Sequence, residues 1–149
     1  MKHTAPTIFV AVTCGLLAAA PVGASNVTFR AALNTWSNRL STDAAAVAVA
    51  ARQRHPRRMT TNAVHFRRDA LRARAAVAAQ KVTSPGARKA RATALRAFSH
   101  YAHAGTEWAA SGRARLAHKR TMSIAEAKAA ARDATAGSRL LVIAGKLAG

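Results

Sequence analysis

Acidic residues are the scarcest functional class in this sequence. Its 149 residues include 5 Asp and Glu against 24 Lys and Arg, which gives a formal net charge of +19. So few carboxylates argue against a site built on paired catalytic carboxylates or on a cage of acidic metal ligands. The excess of positive charge points instead to an anionic partner.

Long apolar runs are also missing, apart from one short stretch near the start. Residues 8–20 are mostly apolar; they follow Lys2 and His3 and precede small residues that end at Ala24. A bilayer span needs about 20 apolar residues, so we interpret residues 1–24 as a cleaved secretory signal peptide rather than a retained anchor. Residues 25–149 are then expected to form one exported domain, secreted, periplasmic or at the cell surface, without a transmembrane span.

Cysteine and aromatic residues are rare. The single cysteine is Cys14, inside the predicted signal peptide, and aromatic residues make up 5% of the chain. Disulfides, thiolate catalysis and Cys-based zinc sites are therefore excluded for the mature form. Alanine, with 41 residues, supplies most of the apolar content but buries little surface per side chain. We therefore expect a marginally stable fold that a homodimer would strengthen.

The mature segment has the periodicity of helices. After residue 25 no strand-like alternation of any length occurs, and apolar residues recur every three or four positions. We predict an all-α fold, an up-and-down bundle of four or five helices with Ala-rich seams, where a seam is the line of residues along which two helices touch. Residues 29–54 form either two helices, the second capped within residues 41–43, or one kinked helix.

Later boundaries are set by proline and by capping residues. Pro56 and its basic neighbours predict a loop at residues 55–60. Ser84 followed by Pro85 predicts the start of a long helix. Ser123 and Glu126 have the spacing of a capping box, which predicts the start of the last helix. The helix after the first loop has two apolar stripes, so we expect it to lie between two neighbours or to give one face to another subunit.

Basic residues are the feature that most favours a function. They gather around the predicted loop, on the helix after it and at the start of the long helix: Arg57, Arg58, Arg67, Arg68, Arg72, Arg74, Arg88, Lys89 and Arg91. Guanidinium groups bind phosphates without reading a base sequence. We predict a non-enzymatic exported protein that binds an anionic envelope or extracellular polymer, with no sequence-specific nucleic acid as partner. A purely structural envelope protein is the alternative, and binding within a membrane interface ranks below polymer binding.

Two histidines support a different hypothesis. His100 and His103 are three residues apart, so on a helix they project from the same side and can share a metal ion or approach a haem iron. We assign no carboxylate to this pair, and His65 and His118 could join it only if the bundle aligned them. Glu107 and Asp133 are expected to pair with Lys or Arg one helical turn away. A haem or metal carrier is therefore the second hypothesis, and ordinary surface histidines are its alternative.

Catalytic motifs are absent from the sequence. It contains no nucleophile elbow, Gly-rich phosphate loop or nucleotide fingerprint. The remaining acids have structural interpretations: Asp43 at a helix start, Asp69 among arginines and Glu126 in the capping box. We predict that the protein is not an enzyme.

Overall fold

Residues 24–149, the part of the chain that the computed structural model describes, form four α-helices, with side chains described from Asn26 onward. They are α1 (Ala24–Arg52), α2 (Pro56–Ala78), α3 (Pro85–Leu116) and α4 (Arg120–Ala148), and no strand occurs within these residues. The all-α prediction is confirmed. The predicted signal peptide lies outside the described residues except for Ala24, at which α1 begins.

Successive helices pack against one another as antiparallel neighbours. α1 lies against α2, α2 against α3 and α3 against α4, and each connection is only three to six residues long. α1 meets α4 at one end, where the Arg30 guanidinium donates to the carbonyls of Ala148 and Gly149 at 2.6 and 2.5 Å. A cation there complements the negative end of the α4 dipole. Within residues 24–149, none of the helices combines the length and apolar character needed to cross a membrane.

The α1–α2 and α3–α4 turns have the same backbone geometry. Arg54 and His118 both adopt a φ of 56°, in the left-handed region that glycine usually occupies at the end of a helix. The backbone bonds that close the turns are His55 N to Ala50 O (3.0 Å) and Lys119 N to Ala114 O (2.8 Å). Because neither turn contains glycine, the sequence carries no glycine signal for either helix end.

The first hairpin decides one open alternative and corrects two other predictions. α1 runs without interruption through residues 41–43, so residues 29–54 do not contain two helices, and Asp43 lies inside a helix and not at a helix start. The predicted loop at residues 55–60 is helical from Pro56 onward. Proline fits the first position of a helix because the N–H that it lacks has no helical partner there.

The last helix begins earlier than the capping box predicts. α4 starts at Arg120, and Ser123 lies inside it with its hydroxyl 3.1 Å from the Ser111 hydroxyl of α3. Ser123 is buried, so its side chain holds α4 to α3 and does not cap the helix. Glu126 is therefore available for other contacts.

The start of α3 agrees with the sequence prediction. The Ser84 hydroxyl accepts a hydrogen bond from the Ala87 N–H at 3.1 Å, and Pro85 is the first helical residue. α3 then continues through Gly105 to Leu116. At Gly105 it passes so close to α2 that an added Cβ would lie 2.9 Å from the Cα of Arg67. The absence of a side chain at this position permits the close approach of the two helices.

One apolar side of α2 is buried and the other is exposed. On the buried side, Phe66 packs edge-on against the rings of Tyr101 and Trp108, with centroid distances of 5.8 and 5.3 Å. On the other side, Val64 and Leu71 are 50% and 43% exposed. α2 does lie between α1 and α3, but no helix within residues 24–149 covers this second stripe.

Candidate functional site

All five acidic residues of the chain lie in two clusters, one in each of two helical hairpins. The α1–α2 cluster consists of Arg39, Asp43, His65, Asp69 and Arg72. The α3–α4 cluster consists of His100, His103, Glu107, Glu126 and Asp133. Because the acids are gathered in this way, the basic residues elsewhere on the described surface have no carboxylate among them.

The α1–α2 cluster is organised around Asp69, whose side chain is fully buried. Arg39 Nε donates to Asp69 Oδ2 at 2.5 Å, and Arg72 Nη1 donates to Asp69 Oδ1 at 3.3 Å. The Arg39 guanidinium also lies over the Trp36 ring, 5.6 Å from its centroid. Two arginines from different helices therefore neutralise one buried carboxylate and tie α1 to α2.

Asp43 and His65 complete this cluster. One donor atom from each of Asp43, His65 and Asp69 lies within 4.8 Å of the others, a spacing that a metal ion could bridge. Burial and the Asp69 charge raise the pKa of Asp43, against opposing effects of His65 and Arg39. Burial also acts to raise the pKa of Asp69, but the hydrogen bond and charge of Arg39, with smaller effects of His65 and Arg72, outweigh it, so this pKa is lowered.

The α3–α4 cluster has the same residue types in a different arrangement. His100, His103 and Glu107 follow one another at three and four residues, which puts them on one side of α3. Glu126 and Asp133 are seven residues apart and share one side of α4. The two sides meet where His100 Nδ1 lies 2.7 Å from Asp133 Oδ1. The histidine and aspartate side chains are 39% and 26% exposed, so solvent reaches this contact.

Glu107 lies at the centre of the α3–α4 cluster. Its Oε2 atom is buried and has no hydrogen-bond partner among the described residues. Burial raises the pKa of Glu107, as do the charges of Asp133 and Glu126, while His103 acts in the opposite direction. The ion pairs found among the described residues include none between these three carboxylates and a Lys or Arg.

The expectation that Glu107 and Asp133 pair with basic residues on their own helices is therefore wrong. Asp133 contacts His100, and Glu107 faces Asp133. A signal for this arrangement was present in the sequence, because residues equally far from a tight turn face each other in an antiparallel hairpin. His103 and Asp133 are each fifteen residues from His118. This spacing could not be used until His118 was known to form the turn.

The arginines predicted to bind polyanions lie mainly on α2. Six of them are exposed there, Arg57, Arg58, Arg67, Arg68, Arg72 and Arg74. Arg72 alone among them forms an ion pair with a described residue, the one to Asp69. At about 1.5 Å per helical residue, the set extends for roughly 25 Å along the helix. We call this set the arginine face; the exposed Val64 and Leu71 lie among these arginines.

The other three predicted residues lie at the start of α3. Arg88 Nη1 donates to the Thr83 carbonyl at 2.6 Å, and Arg91 Nη1 donates to the Gln80 carbonyl at 2.8 Å. These bonds fix the connection between α2 and α3. Lys89 is exposed beside them. The structure thus places these residues at the end of α2 opposite to Arg57 and Arg58.

A shallow pocket of about 400 Å³ lies at the beginning of α2, lined by His55, Pro56, Arg57, Arg58 and Leu116. No side chain caps this helix, and its first turn contains no acidic residue. The unpaired N–H groups of a helix start favour an anion. The pocket therefore adds a second anion-attracting feature at one end of the arginine face.

Comparison of this chain with protein-family models, curated proteins and solved structures found no match. The functional proposals that follow accordingly rest on the geometry and charge of the chain's own residues.

Proposed function

We propose that this protein is an exported, non-enzymatic, up-and-down helical bundle with alanine-rich seams that binds an anionic component of the cell envelope through α2. The observation that carries this proposal is the arginine face. Five of its six arginines, all except Arg72, form no ion pair or hydrogen bond through their side chains with the described residues. Guanidinium groups that are exposed and unpaired are available for phosphate.

The position of the acidic residues supports the same proposal. Asp69 is the only acid on α2, and it is buried and held by Arg39 and Arg72. No exposed carboxylate therefore weakens the positive potential along the arginine face. Contacts of this kind depend on phosphate charge and not on base edges, which fits a sequence-independent partner.

The shared ligand chemistry is a row of phosphate groups, which either a soluble polymer or a layer of lipid headgroups can present. Val64 and Leu71, exposed among the arginines, would add apolar contact on a lipid surface. A soluble polymer would use the arginines alone. The two sources therefore differ in their dependence on these apolar residues.

Binding to polyphosphate at several salt concentrations tests the proposal. For the purified protein we expect saturable binding whose affinity falls steeply with salt. Replacing Arg67, Arg68 and Arg74 together by Glu should weaken the affinity by at least about tenfold, since phosphate contacts are lost and like charges oppose the ligand. The matched control, Glu at Arg113, Arg120 and Arg139, makes the same change in net charge at exposed positions on α3 and α4.

Equal weakening in both triple variants would show that only net charge matters and would contradict a site on α2. No binding by the native protein would contradict the proposal altogether and leave a structural role. A second arm with phosphatidylglycerol vesicles identifies the source of the phosphates. Replacement of Val64 and Leu71 by Ser should weaken vesicle binding and leave polyphosphate binding unchanged if the partner is a lipid surface.

The second candidate function, a carrier that uses His100 and His103, is favoured by one observation. Carboxylates from Asp133 and Glu107 lie beside these histidines, and carboxylate with imidazole is a donor set for metal ions. This favours the metal form of the hypothesis over the haem form. Addition of haemin tests the haem form, because a Soret shift that is lost in the variant with both histidines changed to Ala would support it.

A further inference from the structure

We infer that α2 docks on the surface of an anionic lipid bilayer, with its axis parallel to the membrane plane and its outer stripe at the boundary between headgroups and acyl chains. The outer stripe is the exposed apolar line along this helix, formed by Val64, Leu71, Ala75 and Ala78. The assignment rests on the function proposed for the arginine face, and it names a layer of lipid headgroups as the source of the phosphates.

Arginines lie on both sides of the outer stripe. At about 3.6 residues per helical turn, Arg67 and Arg74 lie along one side of it. Arg68 and Arg72 lie along the other side. From such positions the methylene groups of an arginine cover apolar surface while its guanidinium group extends to the headgroup phosphates. An apolar line between two rows of cations is the pattern of helices that lie in a membrane interface.

The outer stripe is exposed on a helix whose opposite side is anchored. Val64 and Leu71 are about half-exposed, and no helix in the described part of the chain covers them. On the opposite side of α2, Phe66 and Val77 are buried in the core. The packing of the bundle therefore forms and orients the helix before it meets a surface. Binding then does not bear the entropic cost of folding the helix.

A second copy of this chain is one competing occupant of the outer stripe. Two copies that packed together through α2 would bring the two arginine faces against each other. Asp69, the only acid on α2, is fully buried and already held by Arg39 and Arg72, so no carboxylate of this helix would compensate the repulsion. An anionic surface has the opposite effect, because it attracts the arginines on both sides of the stripe.

A soluble polyphosphate chain is the other competing occupant. It would bind the arginines but leave the side chains of Val64 and Leu71 in water. A bilayer provides for both, because its headgroups bind guanidinium groups and its interface removes apolar surface from water. The sequence alone ranks a membrane interface below a polymer. The exposure of these two side chains among arginines is the observation that favours the lipid surface.

Tryptophan substitutions test this docking in phosphatidylglycerol vesicles with brominated acyl chains, which quench the fluorescence of a tryptophan that enters the interface. Val64→Trp and Leu71→Trp each add an indole to the outer stripe. Val49→Trp is the matched control, because Val49 is 40% exposed but lies on α1, outside the arginine face. Relative to the native protein, we expect the added fluorescence to fall by more than about half in both α2 variants and by less than about one tenth in the control.

Neutral phosphatidylcholine vesicles test the part played by charge, and the affinity of the native protein for them should be at least about tenfold lower. Four results would overturn the inference: no binding of the native protein to phosphatidylglycerol vesicles, equal binding to neutral vesicles, vesicle binding without quenching in both α2 variants, or equal quenching in Val49→Trp. Far-UV circular dichroism without lipid should show native helix content in all three variants, which excludes insertion of an unfolded chain.

Polyphosphate binding of the same samples separates this inference from the function proposed above. Binding to polyphosphate but not to the vesicles would leave the arginine face as a polyanion site and contradict the lipid surface. Binding to neither would contradict both.

Discussion

In the α1–α2 hairpin two aspartates and a histidine lie beside two arginines, whereas in the α3–α4 hairpin three carboxylates lie beside two histidines and form no ion pair with a described Lys or Arg. The donor types are the same in both hairpins, and both clusters bridge antiparallel neighbours. The difference lies in the counter-charge. Two arginines neutralise Asp69 and join α1 to α2, whereas the α3–α4 carboxylates have only histidine as a counter-charge among the described ion pairs.

The largest difference is expected when one aspartate is removed from each cluster. Asp69→Ala takes away a fully buried carboxylate and the hydrogen bonds from Arg39 and Arg72, so we expect the free energy of unfolding to fall by about 2–3 kcal/mol. Asp133→Ala removes a partly exposed carboxylate that lies among like charges. It should change the free energy of unfolding by less than about 1 kcal/mol. Urea denaturation measures both; equal losses would contradict the contrast.

The pH dependence of the Asp69 effect follows from the lowered pKa of this residue. A carboxylate with a pKa below its usual 3.8 in the folded state stabilises the fold above that pH and loses this effect as the pH falls through the folded value. The native protein and Asp69→Ala differ in their free energy of unfolding. The electrostatic part of this difference should therefore be present at neutral pH and decline below pH 3.8. A difference that grows on acidification would contradict the assignment.

Removal of the two arginines should allow a metal ion to bind at the α1–α2 cluster. In a variant with both Arg39→Gln and Arg72→Gln, the donor atoms of Asp43, His65 and Asp69 keep their close spacing but lose the competing positive charges. We expect this variant to bind one more Zn²⁺ per chain than the native protein. The control carries Gln at Arg68 and Arg74, with the same net charge, and should bind as many Zn²⁺ ions as the native protein. Equal stoichiometry in all three proteins would show that the arginines do not exclude the ion.

A smaller effect is expected from Glu107→Gln in the absence of metal. A raised pKa means that folding favours the protonated acid, so the native protein loses stability as the pH rises from 4.5 through the folded value. At neutral pH the amide should therefore leave the free energy of unfolding unchanged or raise it, by up to about 1 kcal/mol. Below pH 4.5 this gain should vanish. Marked destabilisation of Glu107→Gln at neutral pH would show that the charged Glu107 carboxylate has a stabilising partner, and would contradict this account of its environment.

The smallest effect concerns the two turns, which the hairpins share. Arg54 and His118 both have a φ of 56°, a conformation that costs less for glycine. Arg54→Gly and His118→Gly should each raise the free energy of unfolding by roughly 0.5–1 kcal/mol, which thermal denaturation would show as a higher midpoint temperature. Pro substitution at either position should instead be strongly destabilising, since proline cannot adopt a positive φ. Unequal signs for the two glycine variants would contradict the equivalence of the turns.

The sequence predicted helices well where their signals are local. The spacing of apolar residues indicated the all-α fold, and Ser84 with Pro85 marked the start of α3 correctly. It failed at the two tight turns, because an arginine and a histidine occupy the positions at which glycine would have been recognised. Pro56 was interpreted as a break, although it is the first residue of α2.

The sequence predicted the candidate site less well, for a related reason. The arginines of α2 could be identified from composition and periodicity alone. The partners of His100 lie across a turn whose position was misjudged, so Asp133 could not be assigned to it before the structure was known. Burial, which leaves Glu107 without a hydrogen-bond donor, depends on how α3 and α4 pack and has no local signal.

The most direct test of the contrast between the hairpins is a pair of double-mutant cycles followed by urea denaturation. One cycle combines Arg39→Gln with Asp69→Asn in the α1–α2 cluster, and the other combines His100→Ala with Asp133→Asn in the α3–α4 cluster. We predict a coupling energy of about 1–3 kcal/mol for the first pair, whose carboxylate is fully buried, and of less than about 1 kcal/mol for the second, which solvent reaches. Equal coupling energies, or the larger one at His100 and Asp133, would contradict the account.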